Sequence, residues 1–150
     1  MKIDDLVTSG EIKDDIHRMA VRIYYADTDF SGVVYHARYL EFFERGRTEF
    51  LRLANVHHRE LAEATEGEQL AWIVRRMSLD FVKPAHIDDV LVVETWAEQI
   101  SGARIKMAQS LLRDNVVLVN AKVEVALITL DGRPRRFPYE WVEHFKPVIR

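Results

Sequence analysis

The stretch YYADTDFSGVVYHARYLEFFERGRTEFLRLA, residues 24–54, decides the fold that we expect for this chain. Its second half predicts an amphipathic helix over residues 39–54, because at about 100° per residue the apolar positions fall on one side. A stripe this wide and aromatic is typical of a helix cradled by a curved sheet. A helical glycine costs about 1 kcal/mol relative to alanine, so Gly46 suggests close approach to that sheet. The stripe comprises Tyr39, Phe43, Gly46, Phe50 and Ala54, widened by Leu40, Phe42, Leu51 and Leu53.

The polar loop before the helix places a carboxylate beside a helix N-terminus. Asp27 and Asp29 precede the helical pattern by about ten residues. The first backbone N–H groups of a helix lack partners within it and carry a partial positive charge. Such groups can hold a developing oxyanion while a nearby Asp acts as nucleophile or base. The chemistry suggested by this pairing is acyl transfer to water.

Composition limits the classes of protein that remain. A chain of 150 residues fits a single domain, 1–150, with one core. Its 21 basic and 24 acidic residues give a formal charge of -3 without a basic stripe, which argues against nucleic acid as the main partner. The absence of cysteine excludes disulfides, thiolate nucleophiles and thiolate-metal sites.

The N-terminal segment is acidic and has no basic start followed by an apolar run, so it does not predict a signal peptide. No stretch approaches the roughly 18 apolar residues of a membrane span. We therefore expect a cytoplasmic protein, with residues 1–17 loosely ordered.

Strand signals dominate the rest of the chain. After a polar loop at 55–69, with a helical turn at 59–64, the apolar alternation predicts several antiparallel strands. Residues 138–145 predict a short closing helix that begins with proline. The expected fold is α+β, with one helix packed against one sheet. The predicted strands are residues 20–25, 70–81, 90–99, 104–113 and 117–129.

The block D-T-D-F-S-G-V-V-Y-H at residues 27–36, with R-T-E at 47–49 and F-V-K-P-A at 81–85, resembles the 4-hydroxybenzoyl-CoA thioesterase family. Within that family the chain is most similar to the Tol-Pal-associated (YbgC-type) acyl-CoA thioesterases, over about residues 18–147. The resemblance implies the hotdog fold, in which an antiparallel sheet wraps a long central helix. It also implies a homodimer or homotetramer in which two sheets pair and the active sites lie at the seam.

The resemblance implies that Asp29 is the catalytic carboxylate. Asp29 would attack the thioester carbon or activate water, and the sequence leaves both routes open. The resemblance assigns an oxyanion donor to the backbone N–H of His36. The side chain of His36 would orient substrate or assist proton transfer, or is only a polar surface residue near a helix start. A structural alternative for Asp29 is a turn or helix-capping role. Asp27 is expected to shape the loop, and Glu44 is a second choice for the carboxylate.

Other residues are candidates for substrate binding. Gly32 would provide a positive φ or a close backbone approach, and Val33, Tyr35 and Tyr39 would line an acyl site, although aromatic residues at this spacing are often core. Basic side chains would contact coenzyme A phosphates or an acyl carrier protein. The adjacent His57 and His58, with Glu60, lack the spacing of a metal site, so we expect none. These basic candidates are Lys83, Arg104, Lys106, Arg135 and Arg136.

Two classes of function follow from the sequence. The first is a hydrolase of acyl-CoA, with short aliphatic or aromatic acyl groups, that needs no cofactor beyond its coenzyme A thioester substrate. The second is an acyl carrier protein-binding module with little catalysis, acting in phospholipid metabolism. An ionised Asp29 at the thioester favours the first. A hotdog dehydratase is a weaker third possibility, because the central helix lacks the histidine pattern of those enzymes.

Overall fold

A single helix lies across one face of an antiparallel sheet in this computed structural model, which describes residues 8–56, 68–138, 141 and 145–148. The helix, α1, spans Arg38–Leu53. A 3-10 turn at Tyr25–Asp27 precedes it. The strands are β1 (Glu11–Lys13), β2 (Ile16–Arg22), β3 (Leu70–Phe81), β4 (Val90–Ser101), β5 (Arg104–Arg113) and β6 (Val116–Thr129).

The six strands lie in the order β1-β2-β4-β5-β6-β3, and all neighbours are antiparallel. Two tight hairpins join β4 to β5 and β5 to β6, and the second turns at Asp114 and Asn115, both with positive φ. Positive φ at both central residues matches the twist of paired strands. The 12-residue strand β3 therefore forms one edge of the sheet in the described part of the chain.

The core lies between the apolar stripe of α1 and the concave face of the sheet. Tyr39, Phe43 and Phe50 are almost fully buried, which confirms the predicted stripe. Leu40 and Leu53, which we expected to widen it, are instead exposed. They lie at the margins of the stripe, beyond the reach of the sheet.

A buried polar network fixes the helix to the sheet at its closest point. The Nε2 amide of Gln109 on β5 donates to the Phe43 carbonyl of α1 (2.8 Å) and to Thr95 Oγ1 of β4 (2.9 Å). The amide oxygen of Gln109 accepts a bond from Arg47 Nη1 (3.0 Å). A shift of the helix would leave these buried polar groups without partners, at a cost of about 1–3 kcal/mol for each group. The network therefore fixes the position of α1 along the sheet.

The strand predictions differ from the structure mainly at the N-terminus. The predicted strand at 20–25 corresponds to β2, which begins four residues earlier, because His17 and Arg18 pair with Thr95 and Glu94 of β4. It also ends three residues earlier, before the 3-10 turn that includes Tyr25. The expectation of a loosely ordered segment is wrong for residues 11–17, which form β1 and the start of β2. The other four strands are confirmed with ends shifted by at most two residues. The predicted turn at 59–64 and most of the predicted helix at 138–145 lie outside the described residues.

Gly46 is a point of close approach between α1 and the sheet, as predicted. A Cβ atom there would lie 2.7 Å from Val93 Cγ1 and 2.9 Å from Thr95 Oγ1. We expect Gly46→Ala to lower the free energy of unfolding by up to about 2 kcal/mol, because overpacking costs about 1–3 kcal/mol and the better helix propensity of alanine offsets only about 1 kcal/mol. Urea denaturation will measure this, with Arg45→Ala on the exposed side of α1 as the control. A stabilised Gly46→Ala variant would contradict the close packing.

His17 is a fully buried imidazole that joins the N-terminal segment to the core. Its Nε2 lies 2.7 Å from the Ser9 carbonyl oxygen, and its ring contacts Phe50 at 6.4 Å between centroids. Burial lowers the pKa of His17, opposed by the bond to Ser9 and by the charge of Glu49. The unfolded chain, with an imidazole pKa of about 6.5, then binds more protons than the folded chain below that pH.

We therefore expect the protein to lose stability as the pH falls below about 6.5 towards the lower pKa of folded His17. His17→Gln keeps a polar side chain but removes this titration. Urea denaturation at pH 7.5 and 5.5 should show a smaller loss for the variant than for the wild type. An identical loss in both proteins would show that His17 does not couple folding to protonation.

Candidate active site

The loop between β2 and α1 is held together by Asp27. Asp27 Oδ2 accepts a hydrogen bond from the Tyr24 N–H (2.8 Å), and its Oδ1 lies 3.4 Å from Arg38 Nε. The Asp27 carbonyl accepts a bond from the Tyr35 N–H (2.9 Å). These contacts tie both ends of the loop to the start of α1, in agreement with the expected loop-shaping role of Asp27.

Asp29 and Gly32 form a tight turn at the tip of this loop. The Asp29 N–H donates to the Val33 carbonyl (3.2 Å), and the Gly32 N–H donates to the Asp29 carbonyl (3.1 Å). Gly32 has φ of +88°, and a Cβ there would meet nothing within 4 Å. The glycine is thus required by backbone conformation rather than by crowding. The turn directs residues 29–31 towards solvent.

The Asp29 carboxylate is exposed and is held by Ser31. Asp29 Oδ1 accepts a hydrogen bond from the Ser31 N–H (2.8 Å) and a second, short one from the Ser31 hydroxyl. The Ser31 hydroxyl, its N–H and, to a lesser extent, the charge of His36 hold the pKa of Asp29 below its usual range. Asp29 is therefore ionised at neutral pH.

The start of α1 offers unpaired backbone donors. The N-cap residue is Ala37, which has no side-chain oxygen with which to cap the helix. The Arg38 N–H donates to the Tyr35 carbonyl, whereas the N–H groups of His36 and Ala37 have no backbone acceptor in the described part of the chain. Free N–H groups at a helix start can stabilise an oxyanion.

Aromatic rings surround the side chain of His36. Its imidazole contacts Tyr35 (4.8 Å between centroids) and the edge of Phe81 at the end of β3 (6.4 Å). Phe81 in turn packs on Tyr39 (5.9 Å). Tyr35 is half-exposed beside the loop, whereas Tyr39 is buried and its hydroxyl accepts a bond from the Ala85 N–H (3.1 Å). Val33 forms an isolated bridge with His86, which joins the Asp29 loop to the loop after β3.

A cavity of about 390 Å³ lies farther along α1, between the helix and the beginning of β3. Its walls are mostly apolar, with polar side chains from the helix. Glu44 Oε1 accepts a bond from the Thr48 hydroxyl (2.9 Å), and the buried Arg47 has a pKa lowered by burial, which the charge of Glu44 opposes. Glu44, the lining residue nearest to the start of α1, is eight residues from His36, or about 12 Å along the helix axis. The cavity is therefore separate from Asp29 within one chain.

The basic candidates lie at two ends of the sheet. The Lys83 N–H donates to the Leu118 carbonyl, near the β5-β6 hairpin. Arg104, Arg135 and Arg136 lie near the opposite end, by the β4-β5 hairpin. Arg135 already forms a two-pronged pair with Glu68 (2.7 and 2.9 Å), whereas Arg104, Arg136 and Lys83 are exposed.

Three features of the site were missed from the sequence. Ser31 binds the proposed carboxylate, Phe81 packs against His36, and Trp72 forms part of the cavity wall. The spacing Asp-x-Ser is a known pattern for a turn closed by the carboxylate, so Ser31 had a local signal. Trp72 had none, and Phe81 was noted only within the F-V-K-P-A stretch at 81–85, which does not indicate that its ring reaches His36. His57, His58 and Glu60 lie outside the described residues.

Comparison with known proteins agrees with this architecture. Residues 23–146 match the Thioesterase-like superfamily. The "Acyl-CoA thioesterase YbgC" of Haemophilus influenzae is 46% identical over 121 residues, which cover 80% of this chain and 87% of the relative. A "probable thioesterase" structure from Bartonella henselae is 53% identical, with a TM-score of 0.79, and covers 82% of this chain and 99% of that one.

The fold recurs in more distant proteins. A structure of 4-hydroxybenzoyl CoA thioesterase in complex with 4-hydroxybenzoyl CoA has a TM-score of 0.80 at 18% identity, covering 88% of this chain and 99% of that one. At that identity the likeness shows the hotdog fold alone. Within the described ranges, no helix is both long and apolar enough to cross a membrane.

The match over residues 23–146 includes the Asp29 loop, all of α1 and strands β3 to β6. The relatives cover most of the chain, and the chain covers most of them. The chain therefore belongs to the thioesterase-like superfamily, among the YbgC-type acyl-CoA thioester hydrolases.

Proposed function

We propose that the protein hydrolyses acyl-CoA thioesters with short aliphatic or aromatic acyl groups, with Asp29 as the catalytic carboxylate. The observation that carries this proposal is the loop geometry: an exposed, ionised carboxylate lies in the same short loop as the free N–H groups at the start of α1. A carboxylate and an oxyanion donor are the two groups that thioester hydrolysis needs.

The reaction requires one proton to move from water to Asp29 and then from Asp29 to the leaving thiolate. Acting as a base, Asp29 takes a proton from water as the water oxygen bonds to the thioester carbon. The oxyanion that forms is stabilised by the N–H of His36. The C–S bond then breaks, and the thiolate of coenzyme A recovers the proton from Asp29. Acting instead as a nucleophile, Asp29 forms a mixed anhydride with release of thiolate, and water then hydrolyses the anhydride.

A binding module without catalysis is the second candidate. Recognition of an acyl carrier protein requires complementary surface charge but no carboxylate at the thioester. An acid that Ser31 keeps ionised and exposed, beside unpaired helix donors, favours hydrolysis. We propose acyl carrier protein thioesters as further substrates of the same site. A cytoplasmic location and an association with a Tol-Pal system belong to the same proposal. No cofactor enters this mechanism.

The edge strand β3 supports a dimer. It is 12 residues long, its outer edge has no partner strand in the described part of the chain, and it exposes Ile73, Val74 and Phe81. A long, exposed, apolar edge strand is a template for pairing with another strand. We propose that two copies pair their β3 strands antiparallel about a two-fold axis, which makes the same surface complementary to itself.

Such a dimer would complete the active site. His36, whose charge acts on Asp29, contacts Phe81 at the end of β3, whereas the cavity includes Leu70–Val74 at its beginning. Antiparallel pairing brings the end of one β3 next to the beginning of the other. The Asp29 loop of one subunit would then face the cavity of its partner, which would hold the acyl group. Lys83 of one subunit would likewise approach the end of the partner's sheet at the β4-β5 hairpin, where Arg104 and Arg136 are exposed.

The Asp29 assignment predicts a specific loss of activity. We expect Asp29→Asn to keep the fold, because the side chain is exposed and nearly isosteric, and to lower kcat by about 10²–10⁴-fold. The measurement is thiol release from acetyl-, butyryl-, benzoyl- and palmitoyl-CoA. Asp14→Asn, which makes the same change at an exposed aspartate in the β1-β2 turn, is the control. Wild-type turnover by Asp29→Asn would refute the assignment.

The shared site predicts complementation between two inactive variants. Thr48→Trp fills the cavity but leaves Asp29 intact, whereas Asp29→Asn leaves the cavity intact. Co-expressed in equal amounts, the two chains should recover about one quarter of wild-type turnover, because half of the dimers contain one complete site of two. Recovery requires both chains in one oligomer, which size-exclusion chromatography with two different tags will verify. Verified mixed dimers without activity would show that each site belongs to one chain.

A further inference from the structure

We infer that Ser31 is a positioning residue that fixes the Asp29 carboxylate so that Oδ2, and not Oδ1, is the reacting oxygen. This inference deepens the proposed function and rests on it. It begins from the unequal surroundings of the two oxygens. Oδ1 accepts hydrogen bonds from both the N–H and the hydroxyl of Ser31, whereas Oδ2 accepts none from the described residues.

The inequality has a chemical consequence. Hydrogen bonds to a carboxylate oxygen stabilise its negative charge and occupy its lone pairs, so that oxygen is a poorer base and nucleophile. Oδ2 keeps its lone pairs available to water or to the thioester carbon. Proton transfer or attack would therefore take place at Oδ2, while Ser31 keeps Oδ1 in place.

Ser31 is needed because the rest of the loop tip provides little support. Phe30 and Ser31 both lie at exposed positions, and the Phe30 ring is fully exposed. The turn itself is held by backbone bonds at Asp29 and Gly32 that fix the main chain but leave the carboxylate free to rotate. Such a side chain loses rotamer freedom only when a neighbour holds it. Ser31 is the neighbour that does so.

Two other aspartates in or near the Asp29 loop form ion pairs of their own. Asp27 pairs with Arg38 within the loop, and Asp89, on the loop after β3, pairs with Arg113 of β5 (2.7 Å). His36 at the helix start acts on Asp29 through its charge. On the segment after β3, His86 pairs with Val33 of the loop through a backbone bridge, and Lys83 is exposed.

The test compares Ser31→Ala and Ser31→Thr in the full chain. Ser31→Ala removes the hydroxyl bond but keeps the N–H bond, and Ser31→Thr keeps both at an exposed position. With butyryl-CoA or the best substrate of the panel, we expect Ser31→Ala to move the acid limb of the kcat profile to higher pH. Its plateau kcat should fall roughly tenfold, less than the ~10²-fold that a displacement of about 1 Å can cost. Ser31→Thr should restore both.

A second readout does not depend on turnover. Titration of the Asp29 carboxyl carbon by ¹³C NMR should show a higher pKa in Ser31→Ala than in the wild type and a near wild-type pKa in Ser31→Thr. The inference is overturned if Ser31→Ala leaves both the acid limb and the carboxyl titration unchanged. If Asp29→Asn retains full turnover, the proposed function falls and the reacting-oxygen assignment with it, whereas a failed Ser31 test with inactive Asp29→Asn refutes only the role of Ser31.

Discussion

The seating of α1 on the sheet at Gly46 is the constraint on which the rest of the molecule depends. The helix approaches β4 so closely there that a single methyl group would collide with Val93 and Thr95. Gln109 then connects the helix backbone, β4 and Arg47 through three hydrogen bonds. Close contact and a satisfied polar network together allow one position of the helix along its axis. That position determines where the first N–H groups of α1 lie.

The position of the helix start in turn determines where the Asp29 loop can lie. Arg38, in the first turn of α1, is close to Asp27, and the Tyr35 N–H returns to the Asp27 carbonyl. The loop is therefore fixed to the helix at two points, while the Val33-His86 bridge holds its other side to the segment after β3. A tip that is exposed yet anchored in this way is suited to meeting a substrate without rearrangement of the core.

Much of this fold follows from patterns along the sequence, and the parts that do not have physical reasons. The alternation at 117–129 and the spacing at 39–54 were sufficient to predict β6 and α1, because each records one buried face. The start of β2 was not visible, because His17 and Arg18 do not look apolar although His17 is fully buried. Likewise, Leu40 and Leu53 match the helical pattern but are exposed, because the sheet does not extend far enough to cover the margins of the stripe. The width of the sheet depends on the tertiary structure and could not be predicted from the helix sequence.

The site shows the same division. The Asp29 loop is contiguous in sequence, so its motif and its glycine could be recognised together, and a conformational need for Gly32 is what the structure shows. The cavity between α1 and β3 brings together residues about 20 to 80 positions apart. No local sequence pattern predicts that residues so far apart will line one cavity. Side chains such as Trp72 and Met107 therefore could not be assigned from the sequence.

The separation of the cavity from Asp29 places a demand on the assembled protein. Strand β3 runs from the cavity, which includes Leu70–Val74, to Phe81 beside His36, and the seven steps of about 3.4 Å from Val74 to Phe81 make roughly 24 Å. A short acyl group cannot span that distance within one chain. A subunit whose β3 edge is paired antiparallel with that of a second copy has no such gap, because the two ends then alternate along the seam. The exposed edge strand and the distant cavity thus have one common explanation. The proposed dimer provides a partner for the strand and places an acyl pocket opposite the Asp29 carboxylate.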